Sequence, residues 1–207
     1  MPSARSNPTK TARPARSAGR PRSTDCDRSI RAATLELLVE HGFADLTIEG
    51  IAARAGCGKA TVYRRWPSKA YLLLDAVAAA LGGLRPGVST GDTGPDLAAG
   101  VATLSRAFEG TLGETLPALV AELAGNPELS NAFIELVLAP RRASMAKVLR
   151  DGMARGEIRP DIDVEVVLDL LAAPLYYRAI FRHAAPNRAA ARAIVETVWR
   201  GIATRAG

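Results

Sequence analysis

The hydrophobic positions of this chain recur at helical spacing over most of its length. Residues 27–42 show the pattern first, with Thr24 or Asp25 placed to cap the helix and Gly42 placed to end it. No segment alternates apolar and polar residues as a strand would, and alanine and leucine, both good helix formers, are abundant. The pattern therefore predicts an all-α fold. Further helices are expected at about 47–54, 59–66, 69–83, 96–111, 114–124, 128–155, 164–183 and 187–205. Three of them follow residues that are placed to cap a helix, Ser68, Asn126 and Asp163.

One stretch interrupts the helical patterns more than any other. Residues 82–96, GGLRPGVSTGDTGPD, consist mainly of Gly, Pro, Ser and Thr, which favour loops. We read this stretch as a linker between two domains. The chain then divides into a disordered arm at 1–23, a small helical domain at 24–84 and a larger helical domain at 85–207.

The positive charge of the chain is confined to its beginning. Residues 1–23 contain six basic residues and no acid, so the other 21 basic residues are balanced by 21 acids. A basic arm of this kind favours a polyanion as partner, nucleic acid before an anionic membrane. It is also compatible with a solvated leader that only aids solubility.

Several classes of chemistry lack the residues that they need. Two cysteines and two histidines are too few for a cysteine-histidine metal site or a disulfide framework, so we expect no metal and no cofactor. We find no nucleophile-base arrangement or phosphate-cradling loop, and we expect no catalytic residues. No apolar run is long enough to cross a membrane and no secretory signal is present, which favours a cytoplasmic protein.

The most informative stretch is GCGKATVYRRW, residues 56–66. On a helix, Val62 and Trp66 lie on one side, and Ala60 and Arg64 lie on the other. One face can therefore pack on a core, while the opposite face is small at first and then basic. Behind a short helix and a Gly turn, such a face suits the major groove of DNA. A surface helix with solvated charges is the simpler alternative.

The segment TIEGIAARAGCGKATVYRRWPSKAYLLLDAV, with IRAATLELLVEHGFADLT before it, resembles the DNA-binding domain of the TetR family of bacterial transcriptional regulators. The resemblance covers about residues 24–84 without a gap. It implies an all-α fold with an N-terminal three-helix DNA-binding domain, whose helix-turn-helix spans about 47–66. A fourth helix would link it to a larger C-terminal helical domain for ligand binding and dimerisation.

The resemblance also implies roles for single residues. Thr47 would cap the second helix and contact a phosphate, as Tyr63 and Lys69 would, while Trp66 would belong to the core. Cys57 stands where the family usually has a small apolar residue, and we interpret it as one rather than as a redox sensor. The expected DNA-contacting set is Thr47, Lys59, Ala60, Thr61, Tyr63, Arg64, Arg65 and Lys69.

The larger domain is less constrained by its sequence. The first of the two helices at about 164–205 is apolar around most of its circumference, which fits either a central core helix of a monomer or a helix shared with a second copy. The resemblance favours a homodimer through these two helices, and the second one offers small residues that would allow close approach, Ala190, Ala193 and Gly201. Arg178 could bind an anionic ligand or pair with Glu165 or Asp169. Candidate pocket residues, each of which could instead be plain core, are Phe108, Leu112, Leu116, Phe133, Met145, Tyr176, Tyr177 and Arg178.

These features lead to one main hypothesis and one alternative. The main hypothesis is a dimeric repressor that binds a palindromic operator in double-stranded DNA and is released from it by an unknown small-molecule effector. The alternative is a non-specific or architectural DNA-binding protein that uses the basic arm.

Overall fold

The computed structural model describes residues 22–82 and 90–204, which form ten α-helices and one isolated backbone bridge, between Ile158 and Ala203. The all-α prediction is confirmed. The predicted disordered arm, apart from residues 22 and 23, and seven of the fifteen residues of the predicted linker, 83–89, lie outside the described residues. The helices are α1 (Arg22–His41), α2 (Ile48–Arg54), α3 (Lys59–Tyr63), α4 (Lys69–Ala80), α5 (Thr93–Glu109), α6 (Thr111–Gly125), α7 (Pro127–Phe133), α8 (Ala139–Ala154), α9 (Val164–Phe181) and α10 (Arg188–Ile202).

Capping side chains start four of these helices where the sequence predicted them. Thr47, Ser68 and Asn126 each accept a backbone N–H of the first turn, and the Asp163 carboxylate accepts two. Such bonds satisfy donors that a helix cannot pair within itself. Local chemistry therefore fixes the starts of α2, α4, α7 and α9.

Three helices begin earlier than the sequence suggested, and the sixth does so at Thr111 rather than at about 114. The first starts at Arg22, so Thr24 and Asp25 lie inside its first turn and neither caps it. The fifth starts at Thr93, within the predicted linker, although Pro95 follows two residues later. A proline is tolerated there because the N–H groups of a first turn have no partner within the helix.

The helix predicted over 128–155 is continuous but changes its winding. Residues 134–138 form a π-helical segment between α7 and α8. Pro140 has no N–H to donate to the carbonyl four residues earlier, and the Ala139 N–H reaches back five residues to the Ile134 carbonyl. The proline thus widens the helix at this point, which borders the cavity described below.

The two domains are packed against each other. In the larger one, α5 lies at the centre, against α6, α8, α9 and α10. In the smaller one, α1 packs on α2 and α4, and it also contacts α6 of the larger domain. At that junction the Phe43 N–H donates to Glu122 on α6 at 3.1 Å. A displacement of α6 would therefore act directly on the smaller domain through this hydrogen bond.

Candidate DNA-binding surface and effector pocket

The helix-turn-helix consists of α2, a glycine turn and α3. Gly56 has a φ of +66°, a left-handed conformation that favours glycine, and it reverses the chain after α2. Val62 and Trp66 are buried, as the sequence predicted. Regular α-helix ends at Tyr63 rather than near Trp66, although the Trp66 N–H still bonds to the Val62 carbonyl at 3.0 Å.

The opposite face of α3 points into solvent. Ala60 and Arg64 are exposed, Thr61 is half-buried, and Tyr63 has 54% of its surface exposed. Within the described residues, the Arg64 guanidinium makes no hydrogen bond or ion pair. A bulky tyrosine and a free guanidinium are therefore presented together on a helix whose other face is anchored.

The first turn of α2 lies beside this face. Glu49 accepts from the Lys59 ammonium at 2.9 Å, and that bond lowers the pKa of the Glu49 carboxyl. The Lys59 charge is therefore already paired, which the sequence did not indicate. Thr47 is exposed, and its hydroxyl oxygen accepts from the Gly50 N–H at 3.0 Å. Its hydroxyl hydrogen remains able to donate to a phosphate oxygen.

Two members of the expected DNA-contacting set are engaged elsewhere. Arg65 forms an ion pair with Asp27 of α1, and the side chain is only 22% exposed. Lys69 donates to the carbonyls of Phe43 and Ala44 at 2.8 and 2.9 Å, and its ammonium lies 4.7 Å from the centre of the Phe43 ring. Both cations therefore already have partners within the small domain.

Cys57 lies in the turn between α2 and α3 and is half-buried against the core. Burial raises the pKa of its thiol, and the neighbouring thiol of Cys26 on α1 raises it further. A raised pKa disfavours the reactive thiolate. These contacts support the interpretation of Cys57 as a small apolar side chain.

Asp75 ties three helices of the small domain together. Its Oδ2 accepts from Arg31 of α1 at 2.7 Å and from the indole N–H of Trp66, just past α3, at 2.8 Å. Asp75 itself belongs to α4, the helix that leads to the larger domain. Asp75 therefore couples the orientation of α3 to the position of α4. The sequence did not indicate these contacts.

The larger domain contains a cavity of about 210 Å³ between the end of α4 and helices α5, α8 and α9. Its lining is mostly apolar, and the cavity is open to one side. Polar groups come from Thr103, Arg141, Arg142, Ser144 and Tyr176. A mainly apolar cavity with a few polar groups is what small-molecule sites usually offer.

The cavity includes only two of the eight predicted pocket residues, Met145 and Tyr176. Phe108 supports it from behind, with its ring edge-to-face on Tyr176 at a centroid distance of 4.8 Å. Arg178 donates to the Ala185 carbonyl, while Glu165 and Asp169 pair with Arg142 instead. The remaining predicted residues lie in the core or near the surface and do not line the cavity: Leu112, Leu116, Phe133 and Tyr177.

Helix α9 carries a stripe of exposed apolar residues on its outer side. Val166, Leu170, Tyr177 and Phe181 are between 51% and 65% exposed. On α10, Ala193 and Gly201 are exposed, whereas Ala190 is buried within its own subunit. An apolar face of this kind on a folded domain marks an interaction surface.

Neither a metal site nor a membrane span emerges from the part of the chain that the structure describes. No group of three or more His, Cys, Asp or Glu side chains there could hold a metal ion. None of the helices described is both long and apolar enough to cross a membrane.

Known protein families and relatives match both domains of this chain. Residues 30–76 match the family "Bacterial regulatory proteins, tetR family", and residues 88–198 match "Tetracyclin repressor-like, C-terminal domain". The HTH-type transcriptional regulator Rv1556 of Mycobacterium tuberculosis is 34% identical over 185 residues, which is 89% of either chain. The DNA-binding transcriptional repressor TetR of Mycobacteroides abscessus is 28% identical over 72% of this chain and 80% of its own.

A solved structure agrees with these relatives. The TetR family transcription regulator SCO0332 is 32% identical, with a TM-score of 0.65 over 86% of this chain and 98% of its own. The domain match, the sequence relatives and the shared fold all indicate the same family. The chain belongs to the TetR family and is a helix-turn-helix transcriptional regulator.

Proposed function

We propose that the protein is a dimeric repressor whose α3 helix reads a palindromic operator and whose larger domain binds a small-molecule effector. The observation that carries this proposal is the α3 face, where Tyr63 and Arg64 are exposed while Val62 and Trp66 anchor the other side. Arginine can bond to guanine O6 and N7 in the major groove, and a tyrosine hydroxyl can hold a phosphate.

Ala60 and Thr61 complete the reading face in this proposal. A small side chain such as Ala60 lets the helix backbone come close to the base edges. Thr47, at the start of α2, would position the domain on the phosphate backbone with its free hydroxyl hydrogen. Lys59 would exchange its bond with Glu49 for a phosphate oxygen. Arg65 and Lys69 keep their internal partners and act as supports.

A palindrome requires two copies of α3, and the faces of α9 and α10 are the proposed interface. The stripe from Val166 to Phe181 is apolar and exposed in one subunit. Pairing with the same face of a second copy would bury it, and exposed Ala193 and Gly201 on α10 would permit close approach. A two-fold axis between the copies then places both reading helices on one side of the DNA.

Effector control would act through the relative position of the two reading helices. The cavity touches the end of α4, and α4 holds α3 through Asp75. A ligand that prefers a different position of α4 shifts the population away from the DNA-binding spacing. A regulator of this kind would act in the cytoplasm, where bacterial DNA lies.

Substitutions on the α3 face should separate affinity from sequence preference. Tyr63→Phe is expected to lower affinity for all DNA sequences, because a phosphate contact does not depend on sequence. Arg64→Ala is expected to cost about 1–3 kcal/mol at the operator and to relax the preference at one base pair in each half-site. Binding to operator fragments recovered from the genome, and to their single-base variants, measures both effects.

Arg28→Ala is a suitable control, because Arg28 is an exposed arginine of the same domain that lies on α1. It should leave sequence preference unchanged. The proposal fails if Tyr63→Phe and Arg64→Ala bind every DNA fragment as the parent does.

The basic arm offers a separate test of the electrostatic contribution. Deleting residues 1–20 removes five of the six basic residues of the arm, and Arg22 stays. Affinity for all DNA should fall, and the slope of log affinity against log salt should become shallower by up to about 0.9 for each lost phosphate contact. An unchanged slope would show that the arm takes no part in binding.

A further inference from the structure

The cavity of the larger domain holds a guanidinium whose charge is not balanced. Arg141 of α8 lines the cavity, and its Nη1 donates to the backbone carbonyl of Leu81 at 2.6 Å. This is a bond to a neutral acceptor, and it uses one of the five N–H donors of an arginine. The remaining donors lie beside an apolar lining.

No side-chain carboxylate pairs with Arg141. All 21 Asp and Glu residues of the chain fall within residues 22–82 and 90–204, and none of them forms an ion pair with Arg141 or lines the cavity. The neighbouring Arg142 differs in this respect, because Glu165 and Asp169 both pair with it. Among the described residues, Arg141 is thus the cation of the cavity lining that has no carboxylate partner.

Partial burial makes an unpaired charge unfavourable at this position. It lowers the pKa of the Arg141 guanidinium, although an arginine stays protonated at neutral pH. A charge taken out of water needs a partner, and a carboxylate can accept two parallel N–H bonds from a guanidinium. Arg141 is half-buried, and an anion entering the cavity would therefore replace the part of its hydration that the charge has lost.

We propose that the effector is an organic anion with an apolar body, whose carboxylate binds the Arg141 guanidinium. This inference rests on the proposed function only in calling the ligand an effector. Leu104, Met145 and Leu168 line the space for the apolar body. The Tyr176 hydroxyl lies close enough to Arg141 to interact with it electrostatically, and it can donate a further hydrogen bond to the anion.

The volume of the cavity limits the size of this anion. A cavity of about 150 Å³ lined by apolar side chains accepts benzene. At about 210 Å³ and open to one side, this cavity has room for one ring or a short alkyl chain together with a carboxylate. Arylalkyl and medium-chain carboxylates are therefore the class of ligand that fits.

Arg141 also connects the ligand to the DNA-binding domain. The carbonyl that it holds belongs to Leu81, the C-terminal cap of α4. An anion that draws the guanidinium toward the cavity would pull on or release that carbonyl. The ligand-binding event and the displacement of α4 would then share one side chain.

The test uses the full-length protein and matched pairs of probes. Calorimetry would measure the binding of 4-phenylbutyrate, octanoate and decanoate, each beside its neutral amide. We expect at least one carboxylate to bind at least tenfold more tightly than its amide, and Arg141→Gln to remove this difference. Arg141→Lys should recover part of it, because it restores the charge but not the two-pronged geometry. Arg150→Gln removes a charge from the exposed side of the same helix and should change nothing.

The outcomes of these binding tests can be distinguished from the outcomes of the tests of the proposed function. The inference is overturned if no carboxylate of the set binds, if carboxylate and amide bind equally, or if Arg141→Gln keeps the preference while circular dichroism shows an intact fold. These measurements contain no DNA, so they hold whether or not the protein binds an operator. A second titration in the presence of operator DNA should show release by the preferred carboxylate from the parent protein and not from Arg141→Gln.

Discussion

Replacing Leu170 with glutamate is expected to turn the proposed dimer into a monomer and to lower operator affinity by about 10²–10⁴-fold. The expected loss of affinity has this magnitude because two reading helices joined in one dimer bind DNA about 10²–10⁴-fold more tightly than one reading helix alone. Leu170 is 52% exposed in the single subunit, so the substitution should leave the subunit folded. In the dimer, the new carboxylate would be buried without a partner, which is costly. Sedimentation at micromolar concentration and operator binding measure the two effects.

Two further variants sharpen this test. Ala193→Glu places the same charge on the exposed side of α10 and should dissociate the dimer as well. Val120→Glu also replaces an exposed apolar residue with an acid, but Val120 belongs to α6 and not to the α9 and α10 faces of the proposed interface, so this variant should leave a dimer. The interface is misplaced if Leu170→Glu still sediments as a dimer, or if it dissociates and yet binds the operator as the parent does.

The sequence predicted those features that depend on neighbouring residues. The caps at Thr47, Ser68 and Asp163 act within three residues of their own position, and the buried Val62–Trp66 face follows from helical periodicity alone. The start of α5 was misplaced because a Gly-Pro pair reads as a loop, although a first turn accepts it. Local rules therefore gave most of the fold and were least reliable at helix ends.

The features that escaped prediction depend on residues distant in the chain. Arg65 and Lys69 carry the charge that suits a phosphate, but their partners, Asp27 and the Phe43 carbonyl, lie far earlier in the sequence. Arg141 was not considered for the pocket, because only the folded chain shows that it faces a cavity with no acid. An isolated sequence shows the charge of a residue and leaves its partner unspecified.

These distant contacts also explain how the cavity could influence the reading helix. From Arg141, a bond leads to the Leu81 carbonyl at the end of α4, and Asp75 in the same helix holds Trp66 at the end of α3. The cavity and α3 are thus joined by one rigid helix with a polar contact at each of its two connections. Weakening the contact at Trp66 should loosen the reading helix even when the cavity is intact.

Substitutions of Trp66 should show how strongly this contact holds the reading helix. Trp66→Ala is expected to lower the free energy of unfolding of the small domain by about 3–5 kcal/mol, because it removes a large side chain that is 6% exposed. Trp66→Phe keeps most of the ring and loses the 2.8 Å bond to Asp75, for an expected loss of about 1.5–3 kcal/mol. Denaturant unfolding followed by circular dichroism measures both.

Tyr71→Ala provides the matched control for the losses of stability and operator affinity that we expect in the two Trp66 variants. Tyr71 is an aromatic residue of the same domain, 54% exposed on α4, so its truncation should change stability by no more than about 0.5 kcal/mol. Because α3 depends on Trp66 for its position, operator affinity should fall from the parent through Trp66→Phe to Trp66→Ala, and it should stay near the parent value in Tyr71→Ala. If Trp66→Phe weakens operator binding without loss of stability, the Asp75 contact orients α3 rather than stabilising it. If Trp66→Ala is less stable and yet binds the operator as the parent does, Trp66 does not anchor the reading helix, and the path from α4 to α3 must run through other residues.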